Sequence, residues 1–153
     1  MRFKYTNGDD PDFKGLCQAL DRFLHRTAGE KVNQSQYDAF NQLGSIHDVV
    51  LAYEGEIPVG CAGFKRYDDQ SAELKRVFVR EEYRGKGIAG KMLENLEEEA
   101  GKKGYSYLIL ETGKHLTAAI ALYENHGYAV IPNYGPYKEI STSVCMGKKI
   151  KQR

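Results

Sequence analysis

The sequence lacks several features that would assign it to a specialised class of protein. Its 153 residues contain only three cysteines, Cys17, Cys61 and Cys145, and each of them lies in an apolar pattern. Their odd number and scattered positions predict buried, reduced thiols rather than disulfides or metal ligands. No group of residues has the spacing of a metal site, and no cysteine–histidine pairing suggests a covalent nucleophile. We therefore expect no bound metal and no catalytic role for cysteine.

Long apolar runs and a strong net charge are also missing. No apolar segment approaches the ~20 residues of a membrane-spanning helix, and MRFKYTNGDD at the start contains no signal-peptide core. The net charge is +1, so no overall field would recruit nucleic acid, an anionic membrane or an acidic partner. We expect a cytoplasmic protein that binds neither nucleic acid nor membranes.

The remaining composition is typical of one folded domain. A chain of 153 residues with 41% apolar and 28% charged residues suits a single domain over residues 1–153. Apolar periodicity predicts the element order β-α-α-β-β-β-α-β-α-β-β, with a second helix around Tyr37, Phe40 and Leu43. No repeat or linker interrupts this order. It predicts an α/β sandwich with a mixed sheet.

The glycine-rich stretch YRGKGIAGKM, residues 83–92, fits three phosphate-binding patterns. It contains most of a Walker A loop, but Met92 stands where a serine or threonine must bind Mg²⁺. It also contains the dinucleotide pattern G-x-G-x-x-G, and Glu111 follows Gly90 at nearly the spacing of a ribose-binding acid. That pattern needs a strand running straight into its first glycine, whereas REEYR separates the strand from the loop here. A small NAD- or ATP-binding protein is therefore the less favoured hypothesis.

The charges on the helix after this loop oppose its macrodipole. Arg84, Lys86 and Lys91 lie near the positive N-terminal end, while Glu97–Glu99 lie toward the negative C-terminal end. Each misplaced charge costs roughly 0.3–1 kcal/mol at an exposed site. An anion bound where the free N–H groups and the cations converge would account for the arrangement. The alternative is a glycine-rich turn with solvated charges.

The third pattern in the loop is R-x-x-G-x-A, and its flanks match a family as well. The segment AELKRVFVREEYRGKGIAGKMLENLEEEA resembles the acetyl-CoA-binding motif of the GNAT acyltransferase superfamily. LILETG and LYENHGY resemble the next strand and the later segment of that family, so the match covers residues 72–128. The resemblance implies a GNAT-like three-layer α/β/α sandwich with a central mixed, mostly antiparallel sheet. It also implies an N-acetyltransferase that uses acetyl-CoA.

The resemblance further implies which residues hold the coenzyme. Backbone amides of the loop would hold the pyrophosphate, and the preceding strand would pair its backbone with the pantetheine arm. A backbone N–H near Val77 or Phe78 would be the donor to the oxyanion. The implied coenzyme-binding residues are Val77, Phe78, Val79, Arg84, Gly85, Lys86, Gly87, Ile88, Ala89 and Gly90. One position departs from the family pattern, since many relatives carry asparagine or glutamine where this sequence has Leu116.

Two side chains match the base and the acid that direct acetyl transfer needs. An amine with a pKa of ~10 is largely protonated at neutral pH, so a base is useful. The resemblance implies Glu73 for this role, directly or through water; the alternative is an exposed strand carboxylate paired with Lys75 or Arg66. The resemblance implies Tyr123 as the acid for a leaving thiolate with a pKa of ~8.5, and packing on its helix face is the alternative.

The acceptor is the least clearly encoded part of the function. We expect the primary amine of a small molecule or amino-acid-like compound, in a pocket between the first two helices and IPNYGPYKE. The candidate residues for lining this pocket or meeting a carboxylate are Tyr37, Tyr134, Tyr137, Arg26, Lys31 and Lys65. Acetylation of protein lysines or N-termini, and a non-catalytic acyl-CoA sensor, are the alternative functions. A homodimer is a possible assembly.

Overall fold

The computed structural model describes residues 1–28 and 43–152. Within these residues the strands are β1 (Arg2–Thr6), β2 (Asp48–Glu54), β3 (Ile57–Arg66), β4 (Ser71–Val79), β5 (Tyr107–Gly113), β6 (Ala129–Ile131) and β7 (Ser143–Lys149). The α-helices are α1 (Pro11–Ala28), α2 (Ile88–Lys102) and α3 (Thr117–Asn125). The second helix that the sequence predicts around Tyr37 and Phe40 lies outside the described residues.

All seven strands of the described chain belong to one sheet, in the order β1-β2-β3-β4-β5-β7-β6. Strands β4 and β5 are parallel, with Glu73 opposite Ile109. The pairs β1–β2, β2–β3, β5–β7 and β6–β7 are antiparallel. The predicted α/β fold with a mixed, mostly antiparallel sheet is therefore confirmed.

The chain divides into two compact units. Unit 1 comprises residues 1–65 and 75–96, and unit 2 comprises residues 66–74 and 97–153. Strand β4 and helix α2 each contribute residues to both units. The single domain expected over residues 1–153 stays a prediction.

Unit 1 is organised around helix α1, which begins where the sequence places a cap. The side chain of Asp10 accepts the N–H of Asp12 at 2.9 Å, and Pro11 occupies the first helical position. The apolar face of the helix packs into the core of the unit with residues of β2, β3 and β4. The buried members of this core are Phe13, Leu16, Cys17, Leu20, Ile46, Val49, Leu51, Tyr53, Cys61 and Phe78.

Unit 2 is built on β5, which buries five of its seven residues, and on β7, which buries Ser143, Cys145 and Met146. Strand β5 comes from the nearly continuous apolar run YSYLILET, as expected for a strand covered on both faces. The three cysteines of the chain are buried and free, which confirms the prediction for them. Among the described residues, no helix combines the length and the apolar character needed to cross a membrane.

Candidate functional site

In unit 1, the glycine-rich loop enters helix α2 through two left-handed glycines. Gly85 has φ +78° and Gly87 has φ +80°, a region that residues with a Cβ rarely adopt. A Cβ at either position would meet no atom within 4 Å, so the backbone conformation, and not close packing, requires glycine here. Helix α2 starts directly afterwards at Ile88, and the first amides of a helix have no carbonyl one turn earlier to bond. The loop therefore has the backbone donors that the predicted anion site needs.

Arg84 ties the start of this loop to the end of β4. Its Nε donates to the carbonyl of Val79 at 2.9 Å. Its guanidinium carbon lies 4.8 Å from the ring centroid of Phe23 and 5.7 Å from that of Phe78. Cation–π contacts contribute about 0.5–1 kcal/mol each at exposed sites. Arg84 therefore helps to hold the loop in shape, a role that the sequence pattern does not reveal.

The acidic end of α2 has partners of its own within unit 2. Glu97 accepts hydrogen bonds from Nζ of Lys148 and from the hydroxyl of Tyr128, both at 2.9 Å. Lys102, in the last turn of the helix, forms ion pairs with Glu98 and Glu99. These contacts account for the acidic residues without a bound anion, so the prediction of an anion site depends on the loop rather than on the inverted charges.

Strand β4 is distorted in unit 1 at Arg76. Of the non-glycine residues in the described chain, only this one has a positive φ, +59°, a conformation that costs of order 1–3 kcal/mol. Its buried guanidinium forms an ion pair with Asp21 of α1 at 2.6 Å, and its carbonyl accepts the thiol of Cys61 at 3.2 Å. Burial raises the pKa of the Cys61 thiol, so this group remains a donor. The expected oxyanion donor near Val77 or Phe78 thus follows directly after a backbone distortion that side-chain contacts hold in place.

In unit 2, Glu73 is a buried carboxylate on the first half of β4. Only 4% of the residue is exposed, and its Oε2 accepts the hydroxyl of Tyr134 at 2.6 Å. Arg66 instead forms an ion pair with Asp69 at 2.5 Å. Glu73 is therefore buried and not exposed as the alternative expected, and its role as base stays a prediction.

Tyr134 belongs to a small aromatic cluster in unit 2. Its ring centroid lies 5.0 Å from that of Tyr67 and 5.6 Å from that of Tyr137, and both pairs are edge-to-face. Burial, together with the charge on Glu73, raises the pKa of Tyr134, so its hydroxyl stays protonated and donates. The sequence suggests Tyr134 and Tyr137 only as residues lining the acceptor pocket. It contains no signal for the contact with Glu73, because the two residues are 61 positions apart.

Tyr123 lies on helix α3 and is buried, with 7% of its surface exposed. Its ring packs edge-to-face against that of Tyr128 at 5.9 Å. Burial and, to a smaller extent, the charge on Glu111 raise the pKa of Tyr123 above its ordinary value. The phenol of Tyr123 therefore keeps the proton that an acid must deliver. The structure also shows the ring packing that the alternative interpretation expects. Leu116, the departure from the family pattern, is the N-cap of α3 and makes no side-chain capping hydrogen bond.

The predicted site residues fall into two groups, one in each unit. The coenzyme-binding candidates all lie in unit 1, on the end of β4, the loop and the first turn of α2, and Glu73 and Tyr123 lie in unit 2. Of the acceptor candidates, Lys31 and Tyr37 lie outside the described residues. Arg26 lies with its guanidinium carbon 6.0 Å from the ring of Phe23. Across residues 1–28 and 43–152, no three His, Cys, Asp or Glu side chains are placed to hold a metal ion.

Comparison with known proteins places the chain in a family. The sequence profile of the Acetyltransferase (GNAT) family matches residues 16–128. The IAA acetyltransferase of Azospirillum brasilense is 41% identical over 137 residues, which cover 88% of each protein. A Klebsiella pneumoniae structure assigned as an acyl-CoA N-acyltransferase has a TM-score of 0.80 at 27% identity and covers 97% of both chains. A GNAT family acetyltransferase from Elizabethkingia anophelis with acetyl-CoA bound has a TM-score of 0.70 at 19% identity, again covering 97% of both chains. The chain therefore belongs to the acetyltransferase (GNAT) family and is an acetyl-CoA-dependent N-acyltransferase.

Proposed function

We propose that this enzyme transfers the acetyl group of acetyl-CoA directly to the primary amine of a small-molecule or amino-acid-like acceptor. The observation that carries this proposal is the buried carboxylate of Glu73, which accepts a 2.6 Å hydrogen bond from Tyr134. A direct transfer to an amine needs such a base, whereas a domain that only binds acyl-CoA does not.

Acetyl-CoA supplies the activated acetyl group and the leaving thiolate. The glycine-rich loop of unit 1 is the proposed site for the pyrophosphate. Gly85 and Gly87 leave its backbone uncovered, and helix α2 begins directly after it, which supports this proposal. The proposed donors are the backbone amides from Gly85 to Gly90, with exposed Lys86 adding positive charge. The N–H of Arg84, expected to be among them, already donates to the carbonyl of Glu81 at 3.3 Å. A backbone N–H near Val77 or Phe78 is the proposed donor to the negative charge that develops on the acetyl oxygen.

Glu73 is the proposed base. An amine with a pKa of ~10 is mostly protonated at neutral pH and cannot attack in that form. Glu73 takes its proton, directly or through one water, and so makes the nitrogen lone pair available. Tyr123 is the proposed acid for the leaving thiolate. Since burial raises the pKa of Tyr123, its hydroxyl carries a proton throughout the neutral range.

A compact acceptor is favoured by the burial of Glu73. Because only 4% of Glu73 is exposed, an amine can approach only a small part of this residue in unit 2. A small molecule can do so more readily than a lysine side chain on a folded protein. Acetylation of protein lysines or N-termini is therefore the second candidate.

The test is a panel of acceptors with acetyl-CoA, in which the release of free thiol is followed spectrophotometrically. The panel contains small amines, amino acids, a lysine-containing peptide and IAA, the compound in the name of the Azospirillum relative. We expect amine-dependent thiol release with a small amine or amino acid. Release with the peptide alone would support protein acetylation instead. Acetyl-CoA that stabilises the protein against heat, with no release for any acceptor, would identify a sensor.

A further inference from the structure

We propose that Tyr134 is a positioning residue for the reaction, because its hydroxyl holds the Glu73 carboxylate in the orientation that a base needs. The inference rests on the proposed role of Glu73. It adds a residue outside residues 72–128, the part of the chain that carries the family motif.

The hydrogen bond is short, and its acceptor, Glu73, is buried. The hydroxyl of Tyr134 donates to Oε2 of Glu73 at 2.6 Å, within the range of strong bonds between a hydroxyl and a carboxylate. Removing a carboxylate from water is unfavourable unless hydrogen bonds replace those to the solvent. Because Glu73 is 4% exposed, the Tyr134 hydroxyl supplies part of that replacement and also restricts rotation of the carboxylate.

The segment that carries Tyr134 is cross-linked by its own hydrogen bonds. Nδ2 of Asn133 donates to the carbonyls of Tyr137, Ile140 and Ser143 at 3.2, 3.3 and 3.3 Å. The N–H of Tyr137 donates to the carbonyl of Tyr134 at 3.0 Å. These bonds fix the backbone on both sides of Tyr134. The hydroxyl therefore meets Glu73 from a defined direction.

Packing of the Tyr134 ring does not depend on its hydroxyl. The rings of Tyr67 and Tyr137 contact it edge-to-face on their own. Tyr134→Phe therefore removes the hydrogen bond to Glu73 and leaves these ring contacts in place. Tyr67→Phe is the matched control, because it removes a phenol hydroxyl from the same cluster without removing the donor to Glu73.

The consequence for the reaction concerns kcat rather than binding. A base must meet the amine in a narrow range of geometries, and a carboxylate that rotates spends less time in that range. Loss of the Tyr134 hydroxyl should therefore slow the step that Glu73 assists. It should leave the KM for acetyl-CoA and for the acceptor nearly unchanged.

The experiment is a double-mutant cycle with Tyr134→Phe, Glu73→Gln and the double variant, using the panel amine that reacts fastest. We expect Tyr134→Phe to lower kcat about tenfold in the parent and less than about twofold in the Glu73→Gln background. Tyr67→Phe should stay within about twofold of its parent in both backgrounds. The thermal unfolding midpoints of all variants show whether each one is folded.

Other outcomes overturn the inference in different ways. An equal loss of kcat in both backgrounds would mean that Tyr134 does not act through Glu73. A higher acceptor KM with unchanged kcat would make Tyr134 a binding residue. If turnover depends on Glu73 while Tyr134→Phe is silent, only this inference fails. If Glu73→Gln keeps full activity, the proposed base is wrong, and the inference fails with it.

Discussion

A substitution at Gly87 tests the proposed pyrophosphate site directly. This position has a positive φ that favours glycine, and it lies in the loop proposed to hold a negatively charged group. We compare Gly87→Glu with Gly87→Gln, two side chains of nearly equal size that differ in charge. Both variants place a Cβ at φ +80°, where an L-residue costs roughly 1–2 kcal/mol. Neither meets an atom within 4 Å of that Cβ, so the strain is conformational and common to the pair. Their difference therefore reports the charge alone.

The magnitude follows from Coulomb's law at an exposed site. Gly87 is exposed, so the dielectric constant of water applies, and two unit charges ~6 Å apart then repel by about 0.7 kcal/mol. A pyrophosphate held by the loop would carry two such charges, which raises the repulsion to about 1.4 kcal/mol. We therefore expect acetyl-CoA to bind Gly87→Glu at least about tenfold more weakly than Gly87→Gln. The ratio should fall at high salt, because the charges are screened.

Calorimetric titration with acetyl-CoA measures this ratio, and circular dichroism confirms that each variant is folded. Gly104 provides the matched control, since it also has a positive φ, +93°, with no atom within 4 Å of a Cβ, and lies outside the predicted coenzyme loop. Gly104→Glu and Gly104→Gln should bind acetyl-CoA equally well. Equal affinities for Gly87→Glu and Gly87→Gln would refute the reasoning and move the pyrophosphate away from this loop.

Three further predictions test the proposed chemistry and its support. Glu73→Gln should lower kcat/KM for the acceptor ~10²-fold at neutral pH, with the deficit shrinking as alkali deprotonates the amine; a pH–rate profile with a constant deficit would contradict the role of base. Tyr123→Phe should lower kcat by ~10²-fold, and, because burial and Glu111 raise the pKa of Tyr123, this deficit should not change from neutral to mildly alkaline pH. Full kcat in that variant would leave Tyr123 as a packing residue. Asn133→Ala should lower the free energy of unfolding by about 1–3 kcal/mol in urea titrations, because the segment loses the two N–H groups of the Asn133 amide that link its carbonyls, although the carbonyls of Tyr137 and Ile140 keep a backbone donor. A change under about 0.5 kcal/mol would mean that water replaces the amide.

Much of the local structure follows from short-range patterns. The Asp10-Pro11 pair predicts the start of α1, and the structure begins that helix at Pro11. The apolar run around Leu108 predicts a buried strand, which is β5. The glycines of the loop predict a backbone that residues with a Cβ resist, and both Gly85 and Gly87 are left-handed. Each of these features depends on neighbours within a few residues, so the sequence alone contains the physical cause.

The sequence also decided the family, and it predicts the coenzyme loop. The spacing of Arg84, Gly87 and Ala89 places charge and uncovered backbone at the start of a helix, and this geometry is local. The charge pattern of α2 was weaker support for an anion site at the start of this helix. Its acidic residues have partners such as Lys148, 51 residues away from Glu97, which no local pattern shows.

Only the tertiary structure decided the surroundings of the proposed base. Glu73 is a polar residue in a strand, and the sequence left its exposure open until the fold brought Tyr134 to it across 61 residues. The left-handed conformation of Arg76 is likewise invisible in the sequence, since it depends on Asp21, 55 residues earlier, and on the thiol of Cys61. Local periodicity specifies helices, strands and turns because their hydrogen bonds join near neighbours. The burial and orientation of a catalytic group depend on contacts between distant segments, which exist only once the chain has folded.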